Sequence, residues 1–401
     1  MIGAGEIGAK DRTAFGAAFF LSAFGYEVLF FAMTLRVYDI SRKAINVGVF
    51  TAITFLPKLL SPAFGALVDR FGARRAISAA AAATALLSLG LPFLGGLGPL
   101  YALWSLLSAL FVTMGNARTV LMTQLSRTGG YLGGNAAAFA LLNAARLAAP
   151  LCAGILARSI GTRGLTLLAA GVYCLCAASA ALLSGPAPGG AAAGPGGGAG
   201  NPARSAFASL GEGFARIRGS RELRFLVGVS SIRNLFLGFL PSLLIVLVTG
   251  RLGRTSADYG IALTAAALGS LAGSLAGPPI AKAAPPRLAA GLGLGAHFAC
   301  IASLGLVRSY AAAIAALAAG SFALYVAALL LHSRRDAATE LSTRGRVYGA
   351  NTTIQTLPTL LSMIAGSALA DRFGAGPVFF GCGSAALVAL AAVSTAAARG
   401  R

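Results

Sequence analysis

Apolar runs of about 20 residues recur along the whole chain, each set off by a short polar turn that carries arginine or lysine. Wound as a helix, such a run crosses a hydrocarbon core of roughly 30 Å. Backbone groups in lipid must pair within their own segment, so the runs predict helices. A β-barrel would instead show alternating segments of ~10 residues. Twelve spans are expected, near 14–36, 45–68, 75–95, 99–122, 135–157, 164–184, 225–249, 257–281, 288–306, 309–332, 348–370 and 377–398. Residues 185–203 are rich in Gly, Pro and Ala and almost uncharged, the composition of a flexible linker. They divide the chain into six spans and six spans, so the expected domains are 1–184, a connecting segment 185–224, and 225–401. Within the connector, Phe207, Leu210 and Phe214 recur at helical spacing among Arg216, Arg218, Arg221 and Arg224. That pattern predicts an amphipathic helix on the membrane surface; a merely basic connector is the alternative.

Composition agrees with lipid as the solvent. The 401 residues are 57% hydrophobic and only 11% charged, against about 25% charged in soluble domains. A net charge of +21 suggests nucleic acid at first sight. The basic residues lie in short loops between apolar runs, however, which is a topology signal, so no nucleic-acid partner is expected. Counting them places both termini in the cytoplasm by roughly two to one, in a multi-pass protein of the inner (cytoplasmic) membrane. The first apolar run reads as a span and not as a cleaved signal peptide. All five cysteines fall in apolar segments, and Cys174-Leu175-Cys176 lacks the spacing of a metal knuckle. No metal or cofactor is expected.

The most informative turn is Gly65-Ala66-Leu67-Val68-Asp69-Arg70-Phe71-Gly72-Ala73-Arg74-Arg75. Its core recurs as Ala368-Leu369-Ala370-Asp371-Arg372-Phe373-Gly374-Ala375. The first copy follows span 2 and the second follows span 11, on opposite membrane faces, as nested inverted repeats predict. With twelve spans split six and six, this turn resembles that of the major facilitator superfamily. Phe55-Leu56-Pro57, Ala145-Arg146-Leu147-Ala148-Ala149-Pro150 and Arg344-Gly345-Arg346-Val347-Tyr348-Gly349 are similar to its bacterial efflux branch, which includes macrolide, siderophore and lysophospholipid exporters.

The resemblance implies an all-α membrane protein of two pseudo-symmetric six-helix bundles, a transporter and not an enzyme, acting as a monomer on a small molecule and protons among membrane lipids. It also implies that Asp69 faces the N-terminal end of span 11, near Tyr348. The helix dipole there suits a carboxylate. Gly65 and Gly72 allow the tight turn, and Arg70, Arg74 and Arg75 complete an inside gate; the alternative for Arg74 and Arg75 is that they only fix topology. Arg118, which ends span 4 near the cytoplasmic side, is placed with the gate by its depth as a partner of the turn. Two departures bear on coupling. The antiporter signature of span 5 is degraded to Pro150 and Gly154, and the turn after span 8 lacks the Asp-Arg core. Proton antiport is therefore an expectation from the family alone.

Cargo information lies deeper. Counting inward, four ionisable groups sit far inside spans: Glu27, Lys58, Arg146 and Arg233. Such groups are costly in a bilayer and mark function. Spans 1, 4, 7 and 10 line the central cavity in the resembled fold and 2, 5, 8 and 11 flank it, so all four are expected to face one water-filled space. Glu27 is the only deep carboxylate and is assigned to proton coupling; a static ion pair with Lys58 or Arg146 is the alternative. Three cations against one carboxylate favour an anionic or zwitterionic amphipathic substrate, because arginine suits bidentate carboxylate or phosphate contacts. Lys58 as a snorkelling side chain and Arg146 as a structural partner of carbonyls remain open. Tyr26, Asn143, Asn234, Tyr325 and Gln355 join them as substrate-contact candidates, with ordinary packing or interhelical hydrogen bonding as the alternative.

The expected activity is proton-coupled export by alternating access. A lysophospholipid flippase on the same fold, or an efflux pump for lipophilic cations, is the alternative. No Walker-type loop is visible, so ATP is not the direct energy source, and no repeated filter motif suggests a channel.

Overall fold

A computed structural model describes the backbone of residues 9–129, 131–183, 202–283, 285–340 and 343–399. The linker expected at 185–203 lies outside these residues as far as 201. In chain order the helices are α1 (Ala9–Ser41), α2 (Ala44–Phe55), α3 (Ser61–Phe71), α4 (Ala73–Gly90), α5 (Leu97–Gly129), α6 (Tyr131–Ala181) and α7 (Pro202–Gly219). They continue as α8 (Arg221–Leu237), α9 (Leu240–Ile245), α10 (Ser256–Ala283), α11 (Pro286–Leu306), α12 (Tyr310–Ala337), α13 (Arg344–Phe373) and α14 (Ala375–Arg399). No strand occurs among the described residues.

Ten of the described helical segments are long and apolar enough to cross a membrane, and the bent pair of α2 and α3 makes another span. One of the ten, Leu141–Ala181, holds 41 residues and breaks at Gly161, whose φ of 64° and ψ of −177° are not helical. Read as two spans, it brings the total to the twelve expected.

The bend in span 2 has a local cause. Pro57 opens a 3-10 turn, Leu56–Leu60, and the helix leaves it at 63° to its entry. Proline lacks the amide that would continue the ladder. Asn116 on α5 stitches the bend, donating from Nδ2 to the Ser61 carbonyl at 3.1 Å and accepting from Ser61 Oγ at 3.3 Å.

The chain groups into two compact units, residues 1–40 with 53–205, and 41–52 with 206–401. Residues 44–52 of α2 therefore go with the second unit. In the first unit, the core buries Trp104, Tyr173, Phe31 and Ile77. Arg36, also buried, closes one end of the adjacent helix by donating to the carbonyls of Leu91 at 2.6 Å and Pro92 at 3.2 Å, and to that of Leu94. In the second unit, Phe298, Leu294, Leu330 and Leu331 join α11 and α12 to Leu226 and Val229 of α8. Arg251 donates to the Gly305 carbonyl at 2.7 Å, an arginine-to-helix-end contact like that of Arg36.

The surface helix differs from expectation in extent. It ends at Gly219, and Arg221 and Arg224 belong to α8. Ser220 is extended and accepts from the Leu223 amide at 3.3 Å, so a stop and a new N-cap separate the two helices. Among its described side-chain positions Gly213 and Ile217 are buried and meet α13 at Val347 and Ala350, while Phe214 is exposed. The side chain of Phe207 lies outside the described residues. Glu212 pairs with Arg346, Glu222 with Arg334, and Arg216 with Glu340 at 3.9 Å, fastening α7 and the start of α8 to α12, α13 and the turn between them.

Both copies of the repeated turn fold alike. Gly72 has φ 82° and ψ 139°, Gly374 has φ 84° and ψ 156°, and each donates its amide four residues back, at 2.9 and 2.8 Å. Backbone of this kind is essentially restricted to glycine and costs another residue about 1–3 kcal/mol. Gly72→Ala is accordingly expected to lower the midpoint of thermal unfolding; an unchanged midpoint would remove the turn's conformational demand.

Candidate transport site

Spacing on α1 places Phe19, Ser22, Tyr26 and Phe30 on one face, three or four residues apart. Trp104, Phe111 and Arg118, seven apart on α5, form the facing stripe. Tyr26 stacks on Phe30 with ring centroids 5.9 Å apart and meets Phe111 edge-on at 5.1 Å. Phe111 in turn contacts Trp104 at 5.7 Å and Tyr173 at 6.0 Å. The indole donates to Thr54 Oγ1 at 2.8 Å. An aromatic wall thus runs from the buried tryptophan to the residue before Glu27.

The charged groups of the first unit gather beside that wall. Arg146 Nε lies 3.8 Å from Glu27 Oε1, with the carboxyl side chain 24% exposed and the guanidinium side chain 46% exposed. This is an ion pair without a direct hydrogen bond. At an effective dielectric constant of ~20 its attraction is about 4 kcal/mol before desolvation of the partners is subtracted. The pair is therefore held, yet a proton on Glu27 or an anion at Arg146 can compete for it. Arg118 turns to α1, donating to Ser22 Oγ at 3.2 Å, with its guanidinium 5.3 Å from the Phe19 ring. Tyr173 donates to the Ser22 carbonyl at 3.3 Å. Lys58 is exposed and lies 3.6 Å over the Phe55 ring. Asn143 is half-buried one turn before Arg146.

The second unit carries its own polar relay. Arg233 donates from Nε and Nη2 to Asn234 Oδ1 at 3.2 and 3.0 Å. Asn234 donates to Gln355 Oε1 at 3.3 Å, and Gln355 donates to Asn351 Oδ1 at 2.7 Å. The relay ties α8 to α13 and orients the guanidinium through an amide oxygen that carries no formal charge. Tyr325 on α12 is half-buried within electrostatic reach of Arg233. His297 is buried with Nδ1 2.7 Å from the Gly320 carbonyl, consistent with an anchoring role between α11 and α12.

Of the candidate gate residues, Asp69, Arg70 and Arg75 are exposed at the turn. Arg70 lies 5.6 Å over the Phe71 ring, and Arg74 donates to the Ala181 carbonyl at the end of α6. Gly65 is not crowded: a Cβ there would meet Asn116 Nδ2 at 3.9 Å. Arg118 sits in the packed face of α1 and α5, beside the Glu27 group. Reading the sequence missed Ser22 and Phe111 as organisers, whereas Asn116 carried the expectation of interhelical polar glue. The seven-residue stripe on α5 was the available signal for Phe111.

A chain of twelve helical spans with ionisable groups held inside them is a multi-pass membrane protein of transporter architecture. The Major Facilitator Superfamily profile matches residues 15–357. The chain belongs to that family and is a secondary transporter. A search of curated proteins finds no match. Among solved structures, the nucleoside transporter NupG is similar at TM-score 0.78 and 9% identity, over 96% of this chain and 98% of that one. A bacterial homologue of the human lysosomal transporter Spinster, inward-facing and occupied, is similar at TM-score 0.75 and 12% identity, over 98% of each chain. A bacterial homologue of the iron transporter ferroportin, in an inward-facing state, gives 0.71 and 15%, over 96% and 98%. At these identities the likeness shows the shared fold, and the relatives' cargoes differ from one another.

Proposed function

We propose that this transporter is a proton-coupled exporter of a small anionic or zwitterionic amphipathic molecule, working by alternating access in the cytoplasmic membrane, with both termini inside. The observation that carries the reading is the Glu27–Arg146 pair at 3.8 Å. Glu27 is the only one of the eleven acidic residues that lies deep within a span. Glu27 and an anionic cargo compete for the one guanidinium of Arg146, so the charge state of the carboxyl and the occupancy of the site are linked. That competition couples two fluxes through one guanidinium. Arg233, oriented by Asn234 through an amide oxygen, is an anion-binding charge of the second unit. The aromatic wall of Tyr26, Phe30 and Phe111 suits the apolar part of the molecule. The bacterial efflux branch named by the sequence resemblance fits this reading.

Trp104 is the only tryptophan and joins Tyr26 through Phe111. Its emission should change reversibly with pH in the purified protein and lose that change in Glu27→Gln. Identical titrations in both proteins would place the proton site elsewhere.

A further inference from the structure

Asp371 ends α13 in the second copy of the repeated turn, and its carboxylate is engaged. Oδ1 accepts from the Ala44 amide at 2.6 Å and Oδ2 from the Ile45 amide at 2.9 Å. These are amides of the first turn of α2, among the orphan donors of a helix start, where the dipole favours a carboxylate. One turn further along α2 the two helices are in backbone contact. A Cβ on Gly48 would lie 2.4 Å from the Met363 carbonyl oxygen and 2.4 Å from Ser367 Oγ. Ser367 is fully buried and shares a 2.7 Å hydrogen bond with Ser242 of α9. The carboxylate therefore caps a helix that is already docked, and residues 44–52, the first part of span 2, group with the second unit and not with the first.

The arrangement has a counterpart in the sequence. Asp69 ends span 2 in the same motif, and span 11 is the span whose C-terminal end carries Asp371. Span 2 ends on the side of the membrane where the chain starts; span 11, odd in order, ends on the other. Exchange of spans 2 and 11 together with the two faces is the symmetry of inverted repeats.

We propose that Asp371 is a latch of the outer face: its two hydrogen bonds to the start of α2 must break for the transporter to open outward. This rests on the alternating-access reading above. Asp69 is assigned the same task for the inner face, so the two carboxylates oppose each other in one equilibrium. A cap with a merely structural role would act only on its own helix end; a latch must also shift the far side.

Hydrogen–deuterium exchange on the full-length protein in lipid nanodiscs separates the two. In Asp371→Asn, the amides of residues 44–48 should exchange about tenfold faster, the size expected when charge-assisted hydrogen bonds are lost. Residues 69–75 and 346–350, at the inner ends, should exchange more slowly than in the wild type. Gly48→Leu, which obstructs the helix contact without touching the carboxylate, should give the same two-ended shift. Asp69→Asn should shift both ends in the opposite sense. If Asp69→Asn moves both ends while Asp371→Asn and Gly48→Leu quicken exchange only at 44–48, Asp371 is a local cap and the latch is overturned. If none of the variants alters the far end, the alternating-access reading falls with it.

Discussion

Glu27→Gln is expected to abolish proton-driven transport while leaving the protein folded. Glutamine keeps the shape and an acceptor oxygen, but it cannot bind and release a proton. The cost to the fold is limited because the pair it removes is partly exposed and lacks a direct hydrogen bond. Arg146 keeps its charge, so an anion should still bind, and binding should no longer depend on pH. The measurement is pH-gradient-driven flux in vesicles, with size-exclusion profiles and Trp104 emission as controls for folding. Undiminished gradient-driven flux in the variant would remove Glu27 from coupling and leave the ion pair as a packing device.

The second large effect concerns cargo. Arg146→Ala and Arg233→Ala should each weaken binding of an anionic amphiphile. Charge-assisted hydrogen bonds contribute about 1.5–3 kcal/mol, so losses of roughly ten- to a hundredfold are expected. Arg233→Ala is the cleaner experiment, because it leaves Glu27 and Arg146 paired. Its binding loss should be accompanied by no change in the pH response of Trp104, which lies in the other unit. Affinity for a cationic amphiphile should be unchanged or improved. If both variants bind the anionic probe as the wild type does, the anionic-substrate reading fails.

The parts of the fold that were legible in the sequence are those fixed by local physics. Spans follow from length and hydropathy, since lipid leaves the backbone no choice but helix. Gly72 and Gly374 were legible because a turn at positive φ demands glycine, and the structure gives both the same backbone. The Gly219-Ser220 pair held a stop and an N-cap that the basic pattern of 207–224 obscured, which is why the surface helix was drawn too long. Depth along a span was also legible, and it brought Glu27 and Arg146 forward together.

Direction around a helix was harder to read. Arg118 was placed with the gate from its depth alone, but which way it points depends on packing, and it turns to Ser22 and Phe19. Phe111 looked like one more aromatic residue among many; only the neighbouring rings of Tyr26, Trp104 and Tyr173 make it the centre of a wall. The repeated motif made Asp371 visible, whereas its partner amides, 326 and 327 residues away in the chain, have no sequence signature at all.

The central claim, that proton flow drives the movement of an anionic or zwitterionic amphiphile, is tested most directly with purified protein in liposomes under an imposed pH gradient. Uptake of anionic, zwitterionic and cationic amphiphiles is followed with and without a protonophore. Uptake of anionic or zwitterionic probes should occur and should collapse when the gradient is dissipated. Uptake that ignores the protonophore, or that is confined to cationic probes, would contradict the claim.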